Sequence, residues 1–253
     1  MYSAENYKLI LAGETHTGLC SKTNEDNFCY LSRADEINQM AMIADGIGGH
    51  ADGALASRLC CQIMLKAWNE CGVGHEVDPK KIQQSMINEA AHCNSLINQM
   101  NQNRNGSKIM GTTLVVAVFT PNHIIIGHVG DSRFYCFEDS TIEFLTRDHS
   151  LVMELAQQKM ISASEMNGHP YSHIILRAIG TTPHIKIETK IHKRHPGQRF
   201  LLCSDGLNRH LSDPQILGII QESESPREAV DALIRSTLRS GAQDNVTAIC
   251  AFH

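Results

Sequence analysis

The sequence of 253 residues predicts an α+β fold, a four-layer α-β-β-α sandwich in which two antiparallel sheets face each other and a helix pair covers each outer face. Two observations predict it. Short apolar runs bounded by turn residues are typical of strands, and they come in groups separated by two pairs of amphipathic helices. Strand groups and helix pairs that alternate in this way suit two stacked sheets with helices outside.

The first third of the chain predicts strands and then the first helix pair. Strands are expected at 7–16, 28–32 and 40–44, with a polar loop over 17–27. The first helix is predicted at about 52–68, because apolar residues recur there every four positions. The second begins after Asp78, a good N-cap residue, with Pro79 at the first helical position.

The remaining elements follow from the same signals. Strand patterns crowd together as an antiparallel meander, with Pro121-Asn122 as one hairpin turn. A short helix near 151–158 opens an irregular polar stretch that reaches Gly180. Two helices enter through Asp213-Pro214 and through a capping box at Ser225 and Glu228. The predicted strands are 112–119, 123–129, 133–138, 141–145, 185–192, 199–203 and 246–251.

Aspartates recur where predicted strands end. Asp45, Asp131 and Asp205 each lie beside a glycine at the end of an apolar run, and Asp244 precedes another such run. Crowded carboxylates repel each other and take up protons, whereas divalent cations that prefer oxygen ligands keep them ionised. Asp-Gly is also a common turn dipeptide. Its recurrence after apolar strands favours a hard-cation site.

Composition narrows the class of protein. At 42% hydrophobic residues, with no low-complexity segment, we expect one domain over 1–253. The net charge of −5 argues against nucleic acid or an anionic membrane as partner. The nine cysteines lack CxxC spacing, which predicts free thiols. The N-terminus lacks a secretory pattern, and no apolar run reaches about 18 residues. We therefore expect a soluble cytoplasmic protein.

A series of motifs covers almost the whole chain. It comprises Gly18 with Asn24-Glu25-Asp26, Asp45-Gly46 running on to His50, Gly111-Thr112-Thr113, Gly130-Asp131-Ser132-Arg133, Ser204-Asp205-Gly206-Leu207 and Asp244-Asn245. Each motif alone is weak, but together and in this order they are specific. The series resembles the PP2C (PPM) family of metal-dependent serine/threonine protein phosphatases, in its compact bacterial form. The stretch of about 151–180 resembles that family's flap segment.

The resemblance implies a set of metal ligands. Asp45 would bridge two cations, the carbonyl of Gly46 would bind one of them, and Asp205 with Asp244 would bind the other. Asp131, paired with Asp205, resembles the ligand of an additional, weaker metal in bacterial relatives. Oxygen-only ligation favours Mn²⁺ or Mg²⁺ over Zn²⁺.

The resemblance also implies a reaction. Asp26 would orient the attacking water, with Glu25 beside it, and Asp45 would contribute through the metals. A water bridging two cations would hydrolyse phosphoserine and phosphothreonine in proteins, opposing a cognate Ser/Thr kinase. The expected partners are phosphorylated proteins, including that kinase and its substrates, with no nucleic acid and no membrane.

Two positions depart from the family pattern. Ser21 stands where relatives carry an arginine that grips the substrate phosphate, and we expect Lys22 to substitute as a point charge. Ile47 stands where many eukaryotic members carry a histidine as general acid. His50 could serve instead, as could a metal-bound water, and a histidine at a helix start explains His50 equally well.

Several other signals have a plain structural explanation. His169 and His173 have helical metal-pair spacing, but Pro170 between them favours flap surface. The basic residues 192–195 are expected as a solvated hairpin tip. Thr112 and Thr113 are expected in strand core, and Cys60-Cys61, neighbours in a helix, as unpaired thiols.

Two other functions fit the motifs. A pseudophosphatase would keep the fold as a binding module, with Ser21 marking decay of the site, and retention of every metal-ligand acid opposes it. A metal-assisted hydrolase of small phosphoesters would differ only in its substrate.

Overall fold

The structure is a computed structural model that describes residues 8–32, 38–49, 51–70, 78–103, 109–166 and 168–253. The predicted start of the first strand at Tyr7 and the candidate general acid His50 therefore lie outside the described residues.

The strands are β1 (Ile10–His16), β2 (Asn27–Leu31), β3 (Gln39–Ala44), β4 (Gly46–Ile47), β5 (Gly111–Thr112), β6 (Leu114–Phe119), β7 (His123–Val129), β8 (Arg133–Glu138), β9 (Thr141–Phe144), β10 (Glu188–Lys193), β11 (Arg199–Cys203) and β12 (Val246–Phe252). The helices are α1 (Ala51–Glu70), α2 (Pro79–Gln102), α3 (Leu151–Gln157), α4 (Ala163–Met166), α5 (Asp205–Asn208), α6 (Asp213–Glu222) and α7 (Pro226–Arg239).

Two five-stranded antiparallel sheets form the centre of the fold. One has the order β1-β12-β11-β8-β9, and the other has the order β10-β7-β6-β3-β2. Alternate side chains of both sheets fill the space between them, as the period of two in a strand requires. Phe119 of the second sheet lies between Phe134 and Phe200 of the first, with ring centroids 6.1 and 5.4 Å away. The two sheets therefore share one apolar core.

A helix pair covers the outer face of each sheet. The buried face of α2 carries Ile82, Met86, Ala90, Cys93 and Ile97 at the predicted spacing, and it packs with α1 against the second sheet. Helices α6 and α7 cover the first sheet. The four-layer α-β-β-α arrangement predicted from the sequence is confirmed.

The predicted strand at 112–119 is in fact two elements. Residues Gly111–Thr112 pair with Gly46–Ile47 in a separate two-stranded ribbon, and Leu114–Phe119 belongs to the second sheet. Thr113 lies between the two elements, and its backbone N–H donates to the carbonyl of Asp45 at 2.8 Å. This bond keeps the register in which Ile43 pairs with Val115 and Gly46 pairs with Thr112, so the ribbon continues the pairing of β3 with β6 beyond the sheet.

Helix α6 begins at Asp213-Pro214 as predicted, and Ser212 before it is the cap residue, whose N–H and hydroxyl both donate to Gln215 Oε1. The prediction of a solvated tip at 192–195 was wrong for Arg194. Lys193 and His195 are exposed, but Arg194 is buried and donates to the carbonyl of Thr120 at 3.1 Å.

The described cysteines are unpaired, as the sequence predicts. Eight cysteines lie in the described residues, and all eight are free, including Cys60 and Cys61 within α1. None of the described helices combines the length and the apolar character needed to cross a bilayer.

The segment 151–180 contains α3 and α4 and is joined to the body of the fold at both of its ends. Leu151 N–H donates to the carbonyl of Ile174, and Leu176 N–H donates to the carbonyl of His149. Gly180 closes the segment with a φ of +89°, and its N–H donates to Asn94 Oδ1 of α2 at 2.7 Å. This glycine is needed because a β-carbon there would collide with the side chain of Ile97.

Replacement of Gly180 by alanine is expected to destabilise the fold more than the same change at Gly197. Left-handed backbone alone costs roughly 1–2 kcal/mol in a non-glycine residue, and an overpacked core adds roughly 1–3 kcal/mol. We expect Gly180→Ala to lower the free energy of unfolding in urea by about 3 kcal/mol.

Gly197→Ala is the matched control. Gly197 has a φ of +84°, and among the described residues no heavy atom lies within 4 Å of the point that an added β-carbon would occupy. It should lose only about 1 kcal/mol. Equal losses for the two variants would show that the contact with Ile97 does not matter.

Candidate metal centre

The acids predicted at strand ends meet at one edge of the two sheets. Asp45 follows β3, Asp131 follows β7, and Asp205 follows β11, while Asp26 and Asp244 precede β2 and β12. Antiparallel pairing places the ends of β3, β7 and β11 beside the starts of their neighbours. Burial, and then the carboxylates of the other four acids, raise the pKa of Asp45 well above its usual range. The five carboxyl groups therefore form one electrostatic cluster.

Two hydroxyl groups hold Asp26. Its Oδ2 accepts hydrogen bonds from Ser204 Oγ at 2.7 Å and from Thr247 Oγ1 at 2.6 Å. Burial raises the pKa of Asp26 to about 7, the two hydroxyl groups oppose that rise, and the carboxylates of Asp205 and Asp244 add to it. The other oxygen, Oδ1, is thus presented in a fixed direction by a carboxyl group that resists ionisation.

Asp45 is held through its backbone by two threonines. Its N–H donates to Thr113 Oγ1 at 2.9 Å, and its carbonyl accepts from Thr112 Oγ1 at 2.9 Å. Thr113 Oγ1 also lies 2.7 Å from Ser132 Oγ, next to Asp131. The two threonines expected only as strand core therefore connect the Asp45 turn to the Asp131 turn.

Glu25 belongs to the loop that leads into this cluster. Asn245 Oδ1 accepts a hydrogen bond from the Glu25 N–H at 2.7 Å, and the Glu25 carbonyl accepts from Gly46 N–H and from Ser57 Oγ. Gly46 has no room for a side chain, because a β-carbon would collide with the carbonyl of Gly53 at the start of α1. The loop, the Asp45-Gly46 turn and the helix are locked together.

Arg209 contacts two of the acids. Its Nη2 lies 2.5 Å from Asp205 Oδ2 and 3.4 Å from Asp131 Oδ2, and 3.5 Å from the carbonyl oxygen of Ser172. Sequence reasoning missed this residue. The available signal was its position four residues after Asp205, which places both side chains on one face of a helical turn.

Three carboxylate oxygens in the cluster are buried and have no hydrogen-bond partner among the described residues. They are Oδ1 of Asp26, Oδ1 of Asp131 and Oδ1 of Asp205. An unpartnered buried carboxylate oxygen is costly, and a divalent cation supplies the missing charge and coordination. The donor set consists of oxygen atoms, which suits Mn²⁺ or Mg²⁺.

A cleft of about 440 Å³ opens beside the cluster. Asp131, Asp205 and Asp244 line its floor, and Ser150 and Met166 of the 150–172 region line its side. Tyr171 and His173 of the same segment are exposed, as expected for His173, whereas His169 is half-buried. Ser21 is half-buried and Lys22 is exposed on the loop before Asp26.

His128, His149 and Glu188 form a second cluster with metal-ligand atoms within 4.8 Å of one another. His149 Nδ1 accepts the N–H of Gly130 at 3.1 Å, so the ring proton is on Nε2, which lies 3.1 Å from Glu188 Oε1. A metal at Nε2 would require both ring nitrogens to offer lone pairs. We therefore interpret the cluster as a hydrogen-bonded support of the Gly130-Asp131 turn.

Comparison with known proteins gives a consistent result. The family model for protein phosphatase 2C matches residues 19–248. The serine/threonine phosphatase stp of Listeria welshimeri is 31% identical over 235 residues, which cover 93% of this chain and 92% of the relative. The serine/threonine protein phosphatase PstP of Mycobacterium tuberculosis is 31% identical over 244 residues, which cover 96% of this chain and 45% of PstP.

Solved structures of similar proteins share the fold. A crystal structure of M. tuberculosis PstP superposes with a TM-score of 0.84 at 30% identity, covering 96% of this chain and 98% of that one. The catalytic domain of PstP with two manganese ions gives a TM-score of 0.82 at 30% identity, covering 96% and 97%. The S. agalactiae serine/threonine phosphatase gives 0.88 at 26% identity, covering 96% and 99%. The chain belongs to the protein phosphatase 2C family.

Proposed function

We propose that this chain is a metal-dependent protein phosphatase that hydrolyses phosphoserine and phosphothreonine. The observation that carries the proposal is the convergence of five carboxyl groups in one electrostatic cluster beside a cleft, three of them with a buried oxygen that has no partner among the described residues. We also propose that the chain acts as one domain, with about 151–180 as its substrate-facing flap.

The proposed metal ligands are the acids with a place in the cluster. Asp45 and the carbonyl of Gly46 would hold a first cation, and Asp45 with Asp205 and Asp244 would hold a second. When bound, such a pair lowers the pKa of water and offsets the negative charge that builds up on the phosphoryl oxygens. The crystallised PstP domain with two manganese ions supports this number of metals.

The remaining roles belong to side chains of the chain itself. The Oδ1 atom of Asp26, aimed by Ser204 and Thr247 on Oδ2, can accept a hydrogen bond from the attacking water and orient it. Glu25 would act from beside it, through the loop that Asn245 ties to the start of β12. Lys22, exposed on the same loop, is the proposed contact for the substrate phosphate.

The proposed partners are phosphorylated proteins, including a Ser/Thr kinase and its substrates. The names of the relatives, serine/threonine phosphatases, support protein substrates over small phosphoesters. A pseudophosphatase is disfavoured because the five clustered acids, three of them buried, are all retained at an electrostatic cost that cations would relieve.

Loss of Asp45 should abolish turnover. Charge stabilisation by bound metal contributes several kcal/mol to the transition state, so Asp45→Asn should slow phosphate release by roughly a hundredfold or more. The assay follows phosphate released from a phosphothreonine peptide and from p-nitrophenyl phosphate with Mn²⁺, Mg²⁺ or a chelator.

Asp231→Asn is the matched acid-to-amide control, because Asp231 pairs with Arg227 on α7 and should leave the rate unchanged. A wild-type chain that binds the peptide but shows no metal-dependent turnover would favour the pseudophosphatase.

Stability without metal should fall as pH rises. The pKa of Asp26 is raised to about 7 in the fold, against about 3.9 in an unfolded chain. The folded state therefore keeps a proton that the unfolded chain has released, and its advantage is lost as pH rises through about 7. We expect the urea midpoint in chelator to fall between about pH 5 and about pH 8.

Two further measurements of the urea midpoint against pH test whether the Asp26 proton is the cause. One uses the wild type with saturating Mn²⁺, and the other uses Asp26→Asn in chelator. Metal binding displaces protons, so the stabilisation by Mn²⁺ should grow with pH. Asp26→Asn should make the chelator curve less steep but not flat, because Asp45, Asp131 and Asp205 also have raised pKa values, and Asp231→Asn should leave the slope unchanged. A Mn²⁺ effect independent of pH would contradict proton displacement from these acids.

Restoring an arginine at position 21 should strengthen substrate binding. A hydrogen bond to a charged group contributes on the order of 1.5–3 kcal/mol, so Ser21→Arg should lower KM about tenfold with little change in kcat. Lys22→Ala should raise KM.

Lys80→Ala, at the start of α2, serves as the charge-matched control for Lys22→Ala and should leave KM unchanged. An unaltered KM in Lys22→Ala would remove Lys22 from the site.

A further inference from the structure

We propose that Arg209 is a built-in cation that takes the place of a third metal ion between Asp131 and Asp205, so that this chain binds two metals and not three. The inference rests on the proposed function. Resemblance to bacterial relatives implies that Asp131, paired with Asp205, binds an additional, weaker metal, and we propose that it does not do so in this chain.

The guanidinium group contacts both of the carboxylates that would hold a third metal. Its Nη2 contacts Oδ2 of Asp205 at 2.5 Å and Oδ2 of Asp131 at 3.4 Å. The two carboxylate side chains are 7% and 5% exposed, so they have little other access to countercharge from solvent. One side chain therefore bridges the same pair of carboxylates that a metal would bridge.

The charge on Arg209 is permanent. Carboxylates of Asp205 and Asp131 contact its guanidinium group. Arginine remains protonated in proteins under ordinary conditions. A divalent cation at this place would have to displace a charged hydrogen bond to Asp205 and then lie beside a positive guanidinium group.

Local geometry keeps Arg209 in position. It follows α5 and lies four residues after Asp205, so both side chains project from one face of the turn. On its other side, Nη2 is within 3.5 Å of the carbonyl oxygen of Ser172 in the flap. Arg209 thus links the acid cluster to the flap.

The arrangement leaves the proposed metal pair undisturbed. Arg209 contacts the Oδ2 atoms, whereas Oδ1 of Asp205 stays without a partner among the described residues and is available to the pair. Removal of the guanidinium would release Oδ2 of Asp131 and Oδ2 of Asp205, and the two carboxylates could then hold a metal.

The test counts Mn²⁺ ions bound by the whole chain, by isothermal titration calorimetry and by the electron paramagnetic resonance signal of free Mn²⁺. The wild type should bind two. Arg209→Asn, which removes the charge and offers an oxygen ligand, should bind a third more weakly. Arg209→Lys, which keeps the charge, should bind two. Adding Asp131→Asn to Arg209→Asn should return the number to two.

Asp131→Asn alone carries the test if Arg209→Asn does not fold. The proposal predicts that this variant still binds two ions, and a fall from three in the wild type to two would overturn it. A folded Arg209→Asn without a third ion would overturn it too. Failure of the proposed function would give a different result. In that case Asp45→Asn would bind as many Mn²⁺ ions as the wild type.

Discussion

The mutual repulsion of buried carboxylates is the constraint on which the rest of this structure depends. Burial and neighbouring acids both raise the pKa of Asp45 and of Asp131, so the cluster opposes folding in its ionised form unless positive charge is supplied. In our account the charge comes from two sources, a pair of divalent cations and the guanidinium group of Arg209. The first is exchangeable and serves the reaction, whereas the second is part of the chain.

The fold concentrates these acids without placing them on one element. Each of the two sheets contributes strand ends to the same edge, and the turn at Gly130 to Ser132 passes from β7 in one sheet to β8 in the other. Hydroxyl groups of Ser204 and Thr247 and of Thr112 and Thr113 then hold Asp26 and Asp45 through short hydrogen bonds. Two sheets packed on one core supply the rigidity that such a site needs.

Sequence alone could predict the architecture and the acids because both are local signals. Periodicity marks strands and helices, and an aspartate beside glycine after an apolar run marks a strand end. The partners of those acids could not be predicted, because Ser204 and Thr247 meet Asp26 across 178 and 221 positions of the chain. Arg194 was mistaken for a surface residue for the same reason, since its acceptor at Thr120 is contributed by a distant turn.

In our account the clustered carboxylates hold two cations, and no third, beside the guanidinium group of Arg209. Anomalous diffraction from crystals grown with Mn²⁺ tests this most directly. The account predicts two anomalous peaks roughly 3.5–4 Å apart near Asp45, Asp205 and Asp244, with Arg209 still on Asp131 and Asp205. A third peak between Asp131 and Asp205, or no peak among these acids, would contradict it.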